Sequence, residues 1–193
     1  MVKVKISGGT GDVGPTIVEV IKDNLRHEAV VLIRKPTGDI FDVPSIIVDY
    51  ESIDSLRLTL KENKIYTAAA SSTETKRFAP SAFACAYTSK MRDEISPLGE
   101  YIRAIDELRK TNLECTIFQN DYFIDYFALV KLKSYLEPFS MVIDIGNWMA
   151  AIPGNGDVPI ISTYSFDVVK FVVASLDLDY WPEESRMASE ILT

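Results

Sequence analysis

The chain has 193 residues, 47% of them hydrophobic and 25% charged, an ordinary globular composition that excludes disordered and fibrous proteins. Twenty basic against 28 acidic residues leave a net charge of −8, which makes a nucleic-acid phosphate backbone a poor partner. No apolar run approaches the roughly 20 residues that span a bilayer, and the opening Met1 to Ser7 has no signal-peptide core, so a soluble, cytoplasmic protein is expected.

Val2 to Ile6 alternates Val, Lys, Val, Lys, Ile and predicts a strand. It runs into Gly8-Gly9-Thr10-Gly11-Asp12-Val13-Gly14. Pro15 to Asp23 then carries Ile17, Val18, Val20 and Ile21 at helical spacing, with Pro15 tolerated in the first turn. His27, the one histidine, stands in a polar stretch and reads as an exposed turn residue. Glu28 to Ile33 is a second strand ending at Arg34-Lys35, with Gly38 in the loop beyond. Ser45 to Val48 is a third, ending at Asp49-Tyr50, and it pairs beside the first two in a parallel sheet. Ser52 to Glu62 reads as a helix. Ile65 to Ala70 and Lys76 to Pro80 both begin like strands, yet only Ser71 to Thr75 lie between them. A parallel crossover needs about a dozen residues, so either the two runs are not parallel neighbours or an element is missing.

Ser96 to Lys110 is an amphipathic helix carrying Leu98, Ile102, Ile105 and Leu108. Leu113 to Phe118 is a strand. Asp121 to Leu136 holds Tyr122, Phe123, Tyr126, Phe127 and Tyr135, and reads either as a helix packed on the core or as a wall of a substrate pocket. Met149 to Ile152 and Pro159 to Ser162 flank a turn at Pro153-Gly154-Asn155-Gly156. Asp167 to Leu176 is a last helix, with Asp167 as its N-cap. Cys85 and Cys115 have no metal spacing and fit a reducing compartment.

Gly8, Gly11 and Gly14 form G-x-x-G-x-x-G between strand and helix. The first glycine permits the turn, the second lets backbone N–H groups approach a pyrophosphate, and the third lets the helix pack close to the strand. An anion then sits at the helix N-terminus. Thr10, Asp12 and Val13 complete the loop. An NAD site carries an acid about 20 residues on, an NADP site an Arg. Here Arg34 stands twenty residues after Gly14, followed by Lys35, so NADP(H) is preferred over NAD(H). Asp49 would lie near the adenine. No catalytic group emerges. No Tyr has a Lys four residues later, and Tyr87-Thr88-Ser89-Lys90 is one residue short of that pattern on flanks that do not read as helical.

Together these residues resemble the NmrA-like, isoflavone-reductase-like branch of the atypical short-chain dehydrogenases, in its fungal form. The resemblance rests on Val4 to Gly14, Val31 to Lys35, Lys76 to Phe83, Asp121 to Leu136 and Asp177 to Ser185. It implies an α/β, Rossmann-type parallel sheet with flanking helices over residues 1–120 and a smaller substrate region over 121–193. It implies that Gly8, Gly11 and Gly14 hold the pyrophosphate, that Arg34 meets the 2′-phosphate, and that Pro80, Ser81 and Phe83 line the nicotinamide side. The family reduces small aromatic metabolites or, in some members, binds the dinucleotide and regulates. Set against that resemblance, three departures are expected: Tyr101 would occupy the position of the reductases' catalytic Lys; a central strand and most of its helix would be missing before Ala68 to Ser72; and the substrate region would be truncated at Thr193. Two further expectations therefore accompany the reductase: a non-catalytic dinucleotide-binding sensor, and an inactive shortened family member.

Overall fold

The computed structural model describes residues 1–36, 41–49, 69–94, 96–128, 132–140, 142–152 and 154–192. Gly38, Tyr50, the helix expected over Ser52 to Glu62, most of the run beginning at Ile65, and Pro153 lie outside the described residues.

Strand β1 (Lys3–Ser7), helix α1 (Gly14–Asn24), β2 (Glu28–Ile33) and β3 (Ser45–Ile47) form the first unit. The strands are all parallel, in the order β1-β2-β3. The central strand β2 buries Ala29, Val31, Leu32 and Ile33, as expected of a strand covered on both faces. Helix α1 buries Thr16, Val18 and Ile21. Its chain exits through Leu25, a non-glycine residue in the left-handed region at φ 56°.

Beyond it, residues 69–71 form a helical turn, so the strand-like start assigned to Ile65 to Ala70 is corrected at its end: Ala69 and Ala70 are helical. Strand β4 (Arg77–Phe78) follows, and pairs in parallel with β5 (Glu114–Cys115) across α2 (Ser89–Glu94) and α3 (Ser96–Leu108). The single strand expected over Leu113 to Phe118 is two, because β6 (Ile117–Gln119) leaves β5 to pair with the distant β11 (Glu184–Arg186). Strand β7 (Tyr122–Phe123) and the short helix α4 (Asp125–Ala128) come next. The long helix read over Asp121 to Leu136 is thus corrected: Asp121 takes φ 55°, and Asp125 starts only four helical residues. A hairpin, β8 (Ile143–Asp144) with β9 (Met149–Ala150), leads to β10 (Ile160–Thr163), α5 (Ser165–Ser175) and β12 (Glu190–Leu192). β10 lies between β7, parallel, and β12, antiparallel.

Helix α5 closes the fold by packing on α1. Ile6, Val18, Ile21, Val31, Val169, Val173, Leu176 and Trp181 make one core. Ala82, Ile105 and Ile117 make a second, with Tyr87 and Tyr101 against it. Phe118, fully buried, stacks on Phe83 and meets Phe171 and Trp181 edge-on. Arg77 adds a polar clamp: its guanidinium pairs with Glu114, donates to the carbonyls of Leu176, Leu178 and Asp179, and lies 5.3 Å from the centre of the Trp181 ring.

Two smaller expectations are also corrected. His27 is buried, its side chain only 1% exposed. Its Nδ1 accepts the Val2 N–H at 3.4 Å and its Nε2 faces Asp177 at 3.7 Å, so it ties the start of β1 to the end of the last helix. Asp167 lies in the first turn of α5, and the N-cap is Tyr164. The capping work falls to Asp125, whose buried carboxylate accepts the Ser165 N–H at 2.9 Å, the Ser165 hydroxyl at 2.6 Å and the Ser134 hydroxyl at 2.8 Å.

Candidate functional site

The register of the first sheet decides what meets at its carboxyl edge. Ser7 pairs with Leu32 and Ile33 with Ile47, so Gly8, Arg34 and Asp49 all leave neighbouring parallel strands at about the same level. Strands in a sheet stand about 4.8 Å apart. The glycine turn, Arg34, Lys35 and Asp49 therefore share one edge, the side on which open parallel sheets take ligands. All three side chains are exposed.

The turn itself is shaped by two glycines. Gly8 adopts φ +77°, which side chains disfavour, and its carbonyl accepts the Gly11 N–H at 2.9 Å. Gly14 opens α1 so close to the turn that an added methyl group would stand 2.0 Å from the Gly8 carbonyl oxygen and 2.7 Å from Gly9 Cα. Gly9 is a contributor the motif reading passes over: a methyl there would lie 2.5 Å from a Val31 methyl, so it lets the turn settle on β2. Thr10, Gly11 and Asp12 are exposed, and Val13 caps α1 by backbone position alone, with no side-chain hydrogen bond to the helix start. No acidic residue occupies the first turn of the helix. An uncapped, acid-free helix start behind a bare glycine turn fits an anionic pyrophosphate, which would be held by backbone N–H groups and the positive helix end.

The Pro80 to Phe83 segment leaves β4 toward β6. Pro80 is half-buried and Ser81 exposed, Ala82 is buried, and Phe83 stacks on Phe118 with ring centres 6.3 Å apart. Ala84 bridges to Gln119, and the Asp121 N–H donates to the Ala84 carbonyl, so this segment lies directly against the end of β6.

Past β6 the aromatic residues gather. Tyr122 packs on Tyr126 and Phe127, Tyr126 packs on Phe139, and the Tyr122 hydroxyl donates to the Phe139 carbonyl at 3.2 Å. Burial raises the Tyr126 pKa, and the nearby charges of Asp12 and Asp125 raise it further. Phe139, half exposed, is a member of this cluster that sequence reading missed. Tyr135 turns the other way: its hydroxyl and the Lys133 ammonium both reach Glu19 on α1, and its ring meets Phe41 edge-on. The Lys133 hydrogen bond holds the Glu19 pKa down, against the cost of burial.

Tyr101, on α3, is brought away from this edge into the second core, edge-on to Tyr87 at 5.3 Å. Its hydroxyl is buried without a partner among the described residues. Burial pushes its phenol pKa far up, with Tyr87 and Cys115 adding to the effect. Burial likewise pushes the Cys115 thiol up to about 11. The Tyr87–Lys90 pair does not share a helix face, since α2 starts only at Ser89 and Lys90 pairs with Glu94. Among the described residues no group of His, Cys, Asp and Glu could hold a metal ion, and no helix is long and apolar enough to cross a membrane.

No protein-family model matches the chain. Its fold is that of solved Rossmann-type proteins. It superposes on a nucleoside-diphosphate-sugar epimerase from Staphylococcus aureus with a TM-score of 0.65 at 16% identity, covering 100% of this chain and 72% of that one. Against the binary complex of leucoanthocyanidin reductase with NADPH from Vitis vinifera the score is 0.61 at 17% identity, covering 92% and 65%. Parallel strands, glycine turn and flanking helices thus define a Rossmann-type α/β protein. In sequence it is 33% identical over 214 residues to the oxidoreductase BOA1 of Botryotinia fuckeliana, which takes in 98% of this chain and 71% of that protein. The chain belongs to the family of this fungal oxidoreductase, consistent with the NmrA-like, isoflavone-reductase-like resemblance. The aligned stretch exceeds the 193 residues of this chain, so the relative carries residues within it that have no counterpart here.

Proposed function

We propose that this chain is an NADP(H)-binding reductase of small aromatic metabolites, cytoplasmic and without nucleic-acid or membrane partners. The observation that carries the reading is the shared edge: a bare glycine turn before an uncapped helix, with Arg34 and Lys35 one and two residues past the adjacent strand. The turn fits a pyrophosphate, and two cations at the β2 end favour a ribose bearing a 2′-phosphate over one bearing a hydroxyl. Asp49, at the end of β3, is suited to the adenosine side. When bound, the cofactor would supply the hydride; the chain's own part is to orient it and exclude water. Tyr126 and Phe139, packed edge-on with ring centres 5.6 Å apart, offer flat faces for an aromatic substrate. Pro80, Ser81 and Phe83 are assigned to the nicotinamide side on the family resemblance. The location reading is supported by Cys85 and Cys115, both free thiols, which suit a reducing compartment.

One observation favours a second reading, a dinucleotide-binding sensor that does not turn over. The position of the family's catalytic Lys holds Tyr101, whose buried hydroxyl keeps its proton. NADPH consumption with a panel of aryl aldehydes, ketones and quinones separates the two. The reductase reading expects oxidation of NADPH with at least one aromatic carbonyl compound. NADPH binding with no consumption across the panel supports the sensor, and absence of binding rejects both.

A further inference from the structure

We propose that a cavity where β6 and β11 end receives a zwitterionic end group of the substrate, its carboxylate on Arg186 and its ammonium on Asp121. The inference deepens the reductase reading above and rests on it for calling that ligand the substrate. The cavity holds about 290 Å3, at the small end of ligand pockets, so one small end group fills it. Gln119, Asp121, Ile161, Arg186 and Met187 are among its lining residues. The strand register gathers them. Gln119 pairs in parallel with Arg186, the last residues of β6 and β11, so their side chains leave one face of the sheet. The Met187 N–H donates to the Gln119 carbonyl at 2.9 Å, and the Asp121 N–H donates to the Ala84 carbonyl at 3.2 Å, which holds both strand exits in place. Ile161, on β10, adds apolar surface.

The charges in the cavity select the ligand. Arg186 is exposed, and its Nη2 lies 3.0 Å from Glu184 Oε2. Glu184 is shared with Arg109 at 3.6 Å, which Asp106 also faces at 3.7 Å. A guanidinium carries five N–H donors, and the Glu184 contact engages one nitrogen, so Arg186 keeps donors for a second carboxylate, the group its fork fits best. The half-buried Asp121 carboxylate has no cation or hydrogen-bond donor among the described residues. An ammonium offsets the cost of that unpaired charge. Gln119 is 5% exposed, and its side-chain amide likewise makes no hydrogen bond among the described residues, so it offers a donor and an acceptor to either end of the ligand. A ligand that is only an anion would meet the like charge of Asp121, and one that is only a cation would meet Arg186. A group bearing both signs is repelled by neither.

The test is calorimetric titration of the full chain at neutral pH with three aromatic probes: L-phenylalanine, 3-phenylpropionate, which lacks the ammonium, and 2-phenylethylamine, which lacks the carboxylate. Wild type is expected to bind phenylalanine at least roughly tenfold tighter than either of the others, the factor one charge-assisted contact gives. Arg186→Gln is expected to bind phenylalanine and phenylethylamine alike while still discriminating against phenylpropionate. Asp121→Asn is expected to show the converse, phenylalanine and phenylpropionate alike with phenylethylamine still weaker. Both substitutions suit the fold, since Arg186 is exposed and asparagine readily adopts the left-handed backbone that Asp121 takes at φ 55°. The proposal is overturned if wild type binds the three probes alike, or none of them at millimolar concentration. It is also overturned if either variant keeps the discrimination it is expected to lose, or weakens all three probes by one factor. NADPH titrated into the same wild-type protein separates this proposal from the reading it rests on. NADPH binding beside three probes that bind alike overturns the zwitterion site and leaves the cofactor reading standing, whereas the crossed pattern without NADPH binding supports the site and rejects the reductase.

Discussion

Replacing Gly14 by Ala separates what the glycine turn does for the fold from what it does for a ligand. The new methyl would stand 2.0 Å from the Gly8 carbonyl oxygen, 2.7 Å from Gly9 Cα and 2.8 Å from the Gly8 carbonyl carbon. All three obstacles are backbone atoms, so no side chain can swing aside and the turn or α1 has to move. Overpacking of this kind costs about 1–3 kcal/mol, and a backbone obstacle places it near the upper end, about 3 kcal/mol. Alanine's better helix propensity returns at most about 1 kcal/mol. The net loss is about 2 kcal/mol, which for a chain of this size lowers Tm by about 4–8 °C. Gly11→Ala is the matched comparison: its methyl would meet the Gly8 carbonyl oxygen at a tolerable 3.4 Å. That variant is expected to melt within about 2 °C of wild type yet to bind NADPH at least about tenfold more weakly, because the methyl faces the pyrophosphate. Differential scanning calorimetry and NADPH titration read both quantities. A Gly14→Ala protein as stable as wild type, or a Gly11→Ala protein with undiminished affinity, would refute the reasoning.

Other outcomes follow from the same contacts. Arg34→Glu is expected to reverse the NADPH/NADH preference in a thermal-shift series, and an unchanged ratio would show that Arg34 does not read the phosphate. Asp125→Ala strips a buried acceptor from the Ser165 N–H and from the Ser134 and Ser165 hydroxyls. It should lower urea stability by about 3 kcal/mol, and a loss under about 1 kcal/mol would mean the helix start is held elsewhere. Arg77→Ala removes the clamp on the carbonyls of Leu176, Leu178 and Asp179 and should cost about 2 kcal/mol. The half-buried Cys115 thiol is raised from its ordinary value near 9 to about 11, so the folded chain holds a proton that the unfolded chain releases. Its contribution is intact below about pH 9 and is lost as pH rises through 11, so stability should fall over that window, less steeply in Cys115→Ala. Equal slopes for the two proteins would remove Cys115 from the account.

The sequence made the first unit legible because its signals are local. The alternation in Val2 to Ile6, the glycines and the apolar Glu28 to Ile33 each need only their neighbours to declare a strand, a turn or a strand. Residues 121–136 were misread because their structure is set at long range. Aromatic residues at mixed spacing suit a helix, but β7 forms by pairing with Ser162 and Thr163, which lie some forty residues away. His27 looked exposed for the same reason: its partners, Val2 and Asp177, sit at opposite ends of the chain. In the candidate site, the glycines, Arg34 and Asp49 could be named from spacing, while Gly9's approach to Val31 appears only when β2 is in place. Phe139 carries no motif, and what distinguishes it is its packing on Tyr126 after folding.

The central claim is that the β1–β2 edge holds a dinucleotide bearing a 2′-phosphate. Calorimetric titration of NADPH and NADH, side by side, into the wild-type chain at one ionic strength tests it most directly. The account predicts saturable binding of NADPH at least about tenfold tighter than NADH, the worth of one charge-assisted contact to Arg34. Equal affinities, or tighter binding of NADH, would contradict it.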